Sequence, residues 1–434
     1  MKLDASYIIS YRHYMVVLWL YLLDGLDVHA QVYIEQEQHR FNFAQSTIGY
    51  DFEYSPSSGR SYTLNDQNEL MRIPINSSIS PVFTITGLHF WGRAEFFTGF
   101  SLGSFSFKDA NDENTFSRTG STGAKYFLRQ IRNNQLSPYV GMSVSTFSFK
   151  QHSGASMRRV DYPLLLGFTY SFRFGMLEIG CIYHYNNQYN YFIAKDRNVD
   201  IEIPNLSFSA DFKYYIDFSM QSFEKKKSGR LQRIHQTMKD QGGLNSITIG
   251  IGPTYSFFIG SSSHNRVNYP FLDDHQISSL YPDVSIGYYS NAGDWTITSN
   301  WRAYKAELAA FGVKQQISRR SIALDFFKFF GDYHGFVPFI GGILSYERTK
   351  ISERVANQVT ADFQKNQLAP GVVIGWDIRP TRVDWWTIRT NIRYFPTFRV
   401  DMPGGEKINL SQIELNFLQF VVFPQRLSAH FKSK

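Results

Sequence analysis

"DWWTIRTNIRYFP", residues 384–396, sets Trp386, Ile388, Thr390, Ile392 and Tyr394 on one parity of the chain and Thr387, Arg389, Asn391 and Arg393 on the other. Successive side chains of an extended strand point to opposite faces. As a strand, this stretch has an apolar face ending in aromatics and a polar, basic face. A soluble sandwich would bury the apolar face. A barrel in a membrane would turn the pattern inside out and lay that face against acyl chains.

Composition narrows the choice. Of the 434 residues 17% are aromatic, with 39 Phe and 27 Tyr, yet the mean hydropathy of −0.28 is that of a water-soluble protein. Spanning helices need uninterrupted apolar runs of about 20 residues, and past residue 30 none occurs. Length alone permits one large core or several ordinary ones. The net charge is +7, but Lys and Arg are scattered apart from Lys225, Lys226 and Lys227, so no basic stripe points to nucleic acid. The lone Cys181 excludes an intrachain disulfide framework and a multi-cysteine metal site.

The N-terminus speaks about location. Lys2, Arg12 and His13 precede the apolar run MVVLWLYLL (15–23), and Val28-His29-Ala30 follows before Gln31. A basic segment, a short apolar segment and a small-residue site make up a secretory signal peptide, too short to anchor. Cleavage is expected after Ala30, which sends the mature chain out of the cytoplasm.

Beyond that point the alternation recurs. Leu206, Phe208, Ala210, Phe212, Tyr214, Ile216 and Phe218 oppose Ser207, Ser209, Asp211, Lys213, Tyr215 and Asp217. Val372, Ile374, Trp376 and Ile378 oppose Gly375, Asp377 and Arg379. Such strands exceed the usual mode of about 5–6 residues and match what a tilted strand needs to cross a bilayer. About sixteen of them follow residue 40, and the links alternate short (91–94, 173–175, 291–294, 331–335, 380–383) with long (55–81, 108–118, 186–204, 261–281, 348–367, 397–409), as in transmembrane barrels. The phase breaks once, where a short turn is due and residues 221–243 intervene.

An internal repeat sits on either side of that break. "SPYVGMSVS" from Ser137 aligns with "VPFIGGILS" from Val337, matching Pro138 to Pro338, Gly141 to Gly341 and Ser145 to Ser345. "PLLLG" from Pro163 aligns with "PGVVIG" from Pro370, and "EIGCIYHY" from Glu178 with "TIRTNIRYF" from Thr387. Two units of about eight strands follow from it. With this pattern, residues 40–423 resemble the Gram-negative outer-membrane β-barrel families, specifically the small eight-stranded barrels of the OmpX or OmpW type, duplicated in tandem. In those families a terminal strand ending in an aromatic is the assembly signal, a role that 413–423 would take here, followed by a basic tail.

The expected fold is therefore an all-β, transmembrane, antiparallel up-and-down barrel of about sixteen strands, with two tandem eight-stranded barrels as the alternative. The expected divisions are a signal peptide (1–30), a first half (31–220), a polar periplasmic turn or linker (221–243), a second half (244–423) and a short basic tail (424–434). The distinction matters for function. About sixteen strands can leave an aqueous channel, whereas eight leave an interior just wide enough for side chains.

Chemistry is sparse. Asp273, Asp274 and His275 in "FLDDHQ" read as an ordinary solvated loop, and His184 as a polar lining residue rather than a base. Gly250 and Gly252 fall inside a strand and form no phosphate loop. No catalytic, cofactor or metal residue is assigned, and no enzyme activity is expected. Candidate lumen-lining residues are Arg302, Asp377, Arg379, Arg389, Asn391, Arg393, Glu178 and His184. Their charge would either bias a pore toward anionic solutes or form an inner salt-bridge ladder. The expected function is a porin-like passive channel for small hydrophilic solutes in the outer membrane. A non-conducting barrel whose long loops bind an unidentified protein partner is the alternative, and a barrel hydrolase comes third. Outer-membrane lipid is the surrounding partner, and analogy with porins alone would make the protein a trimer.

Overall fold

The computed structural model describes residues 45–65, 67–107, 114–151, 154–216, 233, 236–238, 240, 244–272, 278, 280–331, 335–379, 383–402 and 404–432. The signal-peptide segment and most of 221–243 lie outside the described residues.

Sixteen barrel strands follow in chain order. The first eight are β1 (Gln45–Ser55), β2 (Ser78–His89), β3 (Ala94–Ser101), β4 (Asn114–Phe127), β5 (Gln135–Gln151), β6 (Leu164–Phe172), β7 (Gly175–Tyr183) and β8 (Leu206–Ile216). The second eight are β9 (Ser246–Phe258), β10 (Tyr281–Ser290), β11 (Trp295–Ala310), β12 (Val313–Phe329), β13 (Phe336–Val355), β14 (Gln358–Ile378), β15 (Trp386–Phe395) and β16 (Gln412–Val422). Each pairs antiparallel with its sequence neighbour within its group of eight.

The sixteen strands close as two rings. β8 returns to β1, from Ser46↔Ile216 to Tyr54↔Phe208, and β16 returns to β9, from Ile249↔Val422 to Phe258↔Gln412. The fold class and strand number follow the sequence, but the single wide ring gives way to the tandem alternative. An open sheet edge cannot be left in lipid, and β8 satisfies the edge of β1 before the second group of strands begins. The phase break at 221–243 is then the connection between two closed rings. The repeat maps accordingly: its three matched stretches fall on the fifth, sixth and seventh strands of each ring, β5 with β13, β6 with β14 and β7 with β15.

Burial runs opposite to that of a soluble barrel. Along β8, Leu206, Phe208, Phe212 and Tyr214 are exposed while Ser207, Asp211 and Lys213 are buried. Along β15, Thr387, Arg389, Asn391 and Arg393 are buried and Ile392 is exposed. Ile179, a residue that soluble cores hide, is 70% exposed. Outward apolar residues over closed rings are the arrangement that lipid requires, because every strand hydrogen bond is made within the protein. This is an outer-membrane β-barrel fold, present twice. Among the described residues no helix is long and apolar enough to cross a membrane. The rings touch through aromatics: Phe96 lies 5.2 Å from Trp376, and Phe100 lies 6.0 Å from Phe417.

One expected long loop is absent. Residues 348–367 belong to β13 and β14, strands of 20 and 21 residues joined at Ala356 and Asn357, whose φ angles are 49° and 67°. Positive φ at both central positions suits a two-residue hairpin turn whose twist matches its strands. The outward residues here are polar because the hairpin rises past the apolar belt, so the lipid-facing alternation that marks the other strands stops. Ile351 and Thr349 remain buried on the inner face. The C-terminal tail is also more ordered than expected: Pro424–Lys432 forms helix α2, starting on a proline, which suits a first helical turn. It folds back on β9 through Gln425 Oε1, which accepts from Ile247 N at 3.0 Å.

Candidate functional site: two filled interiors under closed mouths

The inward parity of each ring brings ionisable side chains from distant strands into one column. In the first ring Lys213 on β8 reaches Glu95 on β3 at 2.5 Å and Glu178 on β7 at 3.0 Å. Glu178 also pairs with Lys125 on β4 and accepts from Thr169 Oγ1 at 3.1 Å. Beside this cluster lies Tyr139, whose ring is 4.9 Å from Lys125 Nζ. It occupies space that Gly167 and Gly180 leave open, since a Cβ at either position would overlap its hydroxyl. Beside it lies a cavity of about 30 Å³ lined by Asp51, Glu53, Lys125, Asp211 and Lys213. That is room for a water or two.

The second ring is filled in tiers. Nearest its short-turn end, Arg389 grips Asp377 with two bonds of 2.7 and 2.9 Å, and Arg379 stacks over Phe329 at 3.9 Å. Above them Arg393 donates to Asp283 at 2.5 Å and Asp325 at 3.1 Å. Higher still, Arg319 bridges Glu347 and Glu414, the latter at 2.7 Å, and Arg302 also pairs with Glu414. Aromatic and aliphatic side chains, among them Phe327, Phe339, Phe395 and Ile317, fill the space between tiers. A charge removed from water is tolerated only when a partner and hydrogen bonds replace hydration, and for Arg319, Arg389 and Arg393 carboxylates from several strands supply them.

Both mouths at the long-loop end are closed. Over the first ring, Ile75, Phe116, Phe147, Phe149, Met157, Tyr191, Ile193, Ile201 and Ile203 form an apolar cluster. Three of these belong to a hairpin, Gln188–Ala194 with Arg197–Glu202, that folds across the opening. Burial pushes the Tyr191 phenol up to about 12, so it stays neutral and accepts from Gln151 N at 3.2 Å. Over the second ring sits helix α1 (Ser263–Asn268). His264 Nε2 is 2.8 Å from Glu353, and Asn265 exchanges bonds of 3.1 and 2.9 Å with Gln315. The hairpin Arg399–Asp401 with Lys407–Asn409 locks α1 from the side, with Lys407 N donating to Ser263 Oγ at 2.8 Å.

The eight lumen candidates, Arg302, Asp377, Arg379, Arg389, Asn391, Arg393, Glu178 and His184, are each between 0% and 5% exposed. Arg379, Asp377 and Arg389 meet in one tier, and Arg393 and Arg302 occupy tiers above. Glu178 and His184 are in the other ring and meet none of these. His184 lies between Asp161 and Arg118, so its second nitrogen faces a guanidinium rather than a hydroxyl nucleophile. Asp273, Asp274 and His275 lie outside the described residues. Among the described residues no group of three or more potential ligands could hold a metal ion. The counter-charges Asp283, Asp325, Glu347 and Glu414 were missed by sequence reasoning. Their signal was the same inward parity, for example Asp283 and Ser285 opposite Val284 and Ile286 on β10.

No family model and no curated protein matches the chain. Among solved structures, the chain is similar to the Neisserial surface protein NspA at 17% identity, over 41% of this chain and 98% of that one, with a TM-score of 0.29. It is similar to Ail, the attachment invasion locus protein of Yersinia pestis, at 12% identity over 41% and 96%, with a TM-score of 0.25. It is also similar to an outer membrane channel of Pseudomonas putida F1 at 9% identity over 87% and 95%, with a TM-score of 0.21.

Proposed function

We propose that the protein is an exported outer-membrane barrel that works at its outer surface as a structural or partner-binding module, and not as a pore. The observation that carries this reading is the matching of buried arginines to buried carboxylates in the second ring, Arg389 with Asp377 and Arg393 with Asp283 and Asp325, under a pegged helix. An anion-selective lumen would leave such arginines free to meet solute, whereas here their donors are spent on the protein. The narrow rings favour the same reading, because the porin-like channel expected from the sequence presupposes one wide ring. A hydrolase would need a nucleophile beside a base, and His184 has none within hydrogen-bond reach among the described residues.

The test is conductance of the refolded chain in a planar bilayer, once its gel mobility shifts on boiling as that of a closed barrel does. A folded chain without stable current steps is expected. Stable steps with anion preference, reversed by Arg389→Glu and Arg393→Glu, would restore the channel.

A further inference from the structure

The outward side chains of β11 to β14 form rows across four adjacent strands. Trp301, Ile322, Tyr346 and Leu368 face one another in sequence across the sheet, and all four are exposed. This row ends the apolar belt. The next row toward the long-loop end is Ala303, Arg320, Arg348 and Asn366, and the one after it is Lys305, Ser318, Lys350 and Gln364. Belt and basic patch therefore abut with no residue of separation.

Two features of the patch call for a ligand. Arg320 and Arg348 are direct cross-strand partners, both exposed, and like charges placed opposite one another destabilise a sheet. Among the described residues neither has an ion-pair partner; Arg348 reaches only the Gln364 amide oxygen at 3.2 Å. Height is the second feature. Lys328 closes the apolar belt at its inner end, in the row of Trp295, Ile340 and Ile374. Eight residues at about 3.3 Å each, tilted by about 40°, set Arg320 roughly 20 Å above it, close to the ~25 Å lipid-facing height of such barrels. The facing guanidiniums therefore sit where lipid headgroups begin.

We propose that this patch, centred on Arg320 and Arg348, binds the phosphorylated sugar headgroup of an outer-leaflet glycolipid; Lys350 in the row above is held by Asp362 at 2.9 Å. A phosphate between the two guanidiniums turns their repulsion into shared, charge-assisted hydrogen bonds, while the acyl chains lie on Tyr346, Ile322 and Trp301. Basic clusters beside a membrane span recognise anionic headgroups by this chemistry. The proposal rests on the membrane-spanning reading of the second ring, which the boiling-dependent gel shift checks separately.

The experiment is native mass spectrometry of the full folded chain in detergent, titrated with bisphosphorylated lipid A, with dephosphorylated lipid A, and with lipid A in the presence of inorganic phosphate. The phosphorylated lipid should be retained and the dephosphorylated one lost. Arg320→Gln with Arg348→Gln should weaken retention on the order of tenfold, while Arg354→Gln with Lys314→Gln nearer the hairpin tips should leave it unchanged. The same arginine double variant should unfold at equal or higher temperature than wild type in phosphate-free lipid and at lower temperature in lipid A, an inversion that a purely structural role would not produce. Equal retention of the two lipids by wild type, retention unaffected by the arginine changes, or displacement by millimolar inorganic phosphate would overturn the proposal.

Discussion

At the scale of single residues, the interior arginines are held by what they neutralise. Arg393 is 2% exposed and faces two carboxylates from different strands, Asp283 and Asp325. Removing it leaves both acids buried without a counter-charge, a change that costs about 3–5 kcal/mol when a buried pair is broken on one side. Arg393→Met should therefore lower the urea midpoint of the detergent-folded chain. Adding Asp283→Asn and Asp325→Asn should recover most of the loss, since neutral partners no longer need the guanidinium. An Arg393→Met chain as stable as wild type would show that the tier is wet. Gly180 offers a steric counterpart: Gly180→Leu drives a side chain into Tyr139, an overpacking that costs typically about 1–3 kcal/mol. The orientation of these residues was legible in the sequence, because parity alone separates Arg389 and Arg393 from Ile388 and Ile392. The partners of Arg393 were not, because Asp283 and Asp325 lie 110 and 68 residues away and nothing local announces the match.

Elements show where local pattern stops being informative. The barrel strands were readable because lipid imposes an apolar residue at every second position. Beyond the belt that demand lapses, so the upper part of β13 and β14 looked like a loop although both strands continue through it. The cap of the first ring was invisible for a related reason. Ile75 comes from one loop and Tyr191, Ile193 and Ile201 from the hairpin of another, and they become a core only after the two fold together. Phe149 contributes the top of β5 to that cluster and packs edge-on to Tyr191 at 5.0 Å. Phe149→Ala should cost the cap about 3–5 kcal/mol and expose the hairpin around Lys195 and Arg197 to trypsin in intact outer-membrane vesicles, with the boiling-dependent gel shift retained. Resistance equal to wild type would mean that the loops hold without this cluster.

For the whole molecule, strand number and inside-out burial follow from the chain's alternation, but closure is a long-range decision. Ser, Thr, Gly and Arg on the inward parity suit a wide wet lumen as well as a narrow packed one. The sequence cue bearing on it was residues 221–243, which interrupt the short turns but are polar enough to be an enlarged turn of one ring or a linker between two. Two narrow rings fill with side chains and one wide ring does not, so the functional reading turns on which strand β1 pairs with. That pairing can be trapped directly. In a Cys181→Ser background, Phe52→Cys with Ala210→Cys places thiols on facing outward positions of β1 and β8. Facing Cα atoms lie about 4.5–5.5 Å apart, inside the range of about 4.4–6.8 Å that a disulfide accepts. Phe52→Cys with Ile413→Cys or Leu415→Cys places them on β1 and β16, the strands a sixteen-stranded ring would join. Mild oxidation of the membrane-inserted chain, read by mobility on non-reducing gels, should bridge the β1–β8 pair and leave the β1–β16 pairs open; bridging between β1 and β16 with none between β1 and β8 would contradict two closed rings.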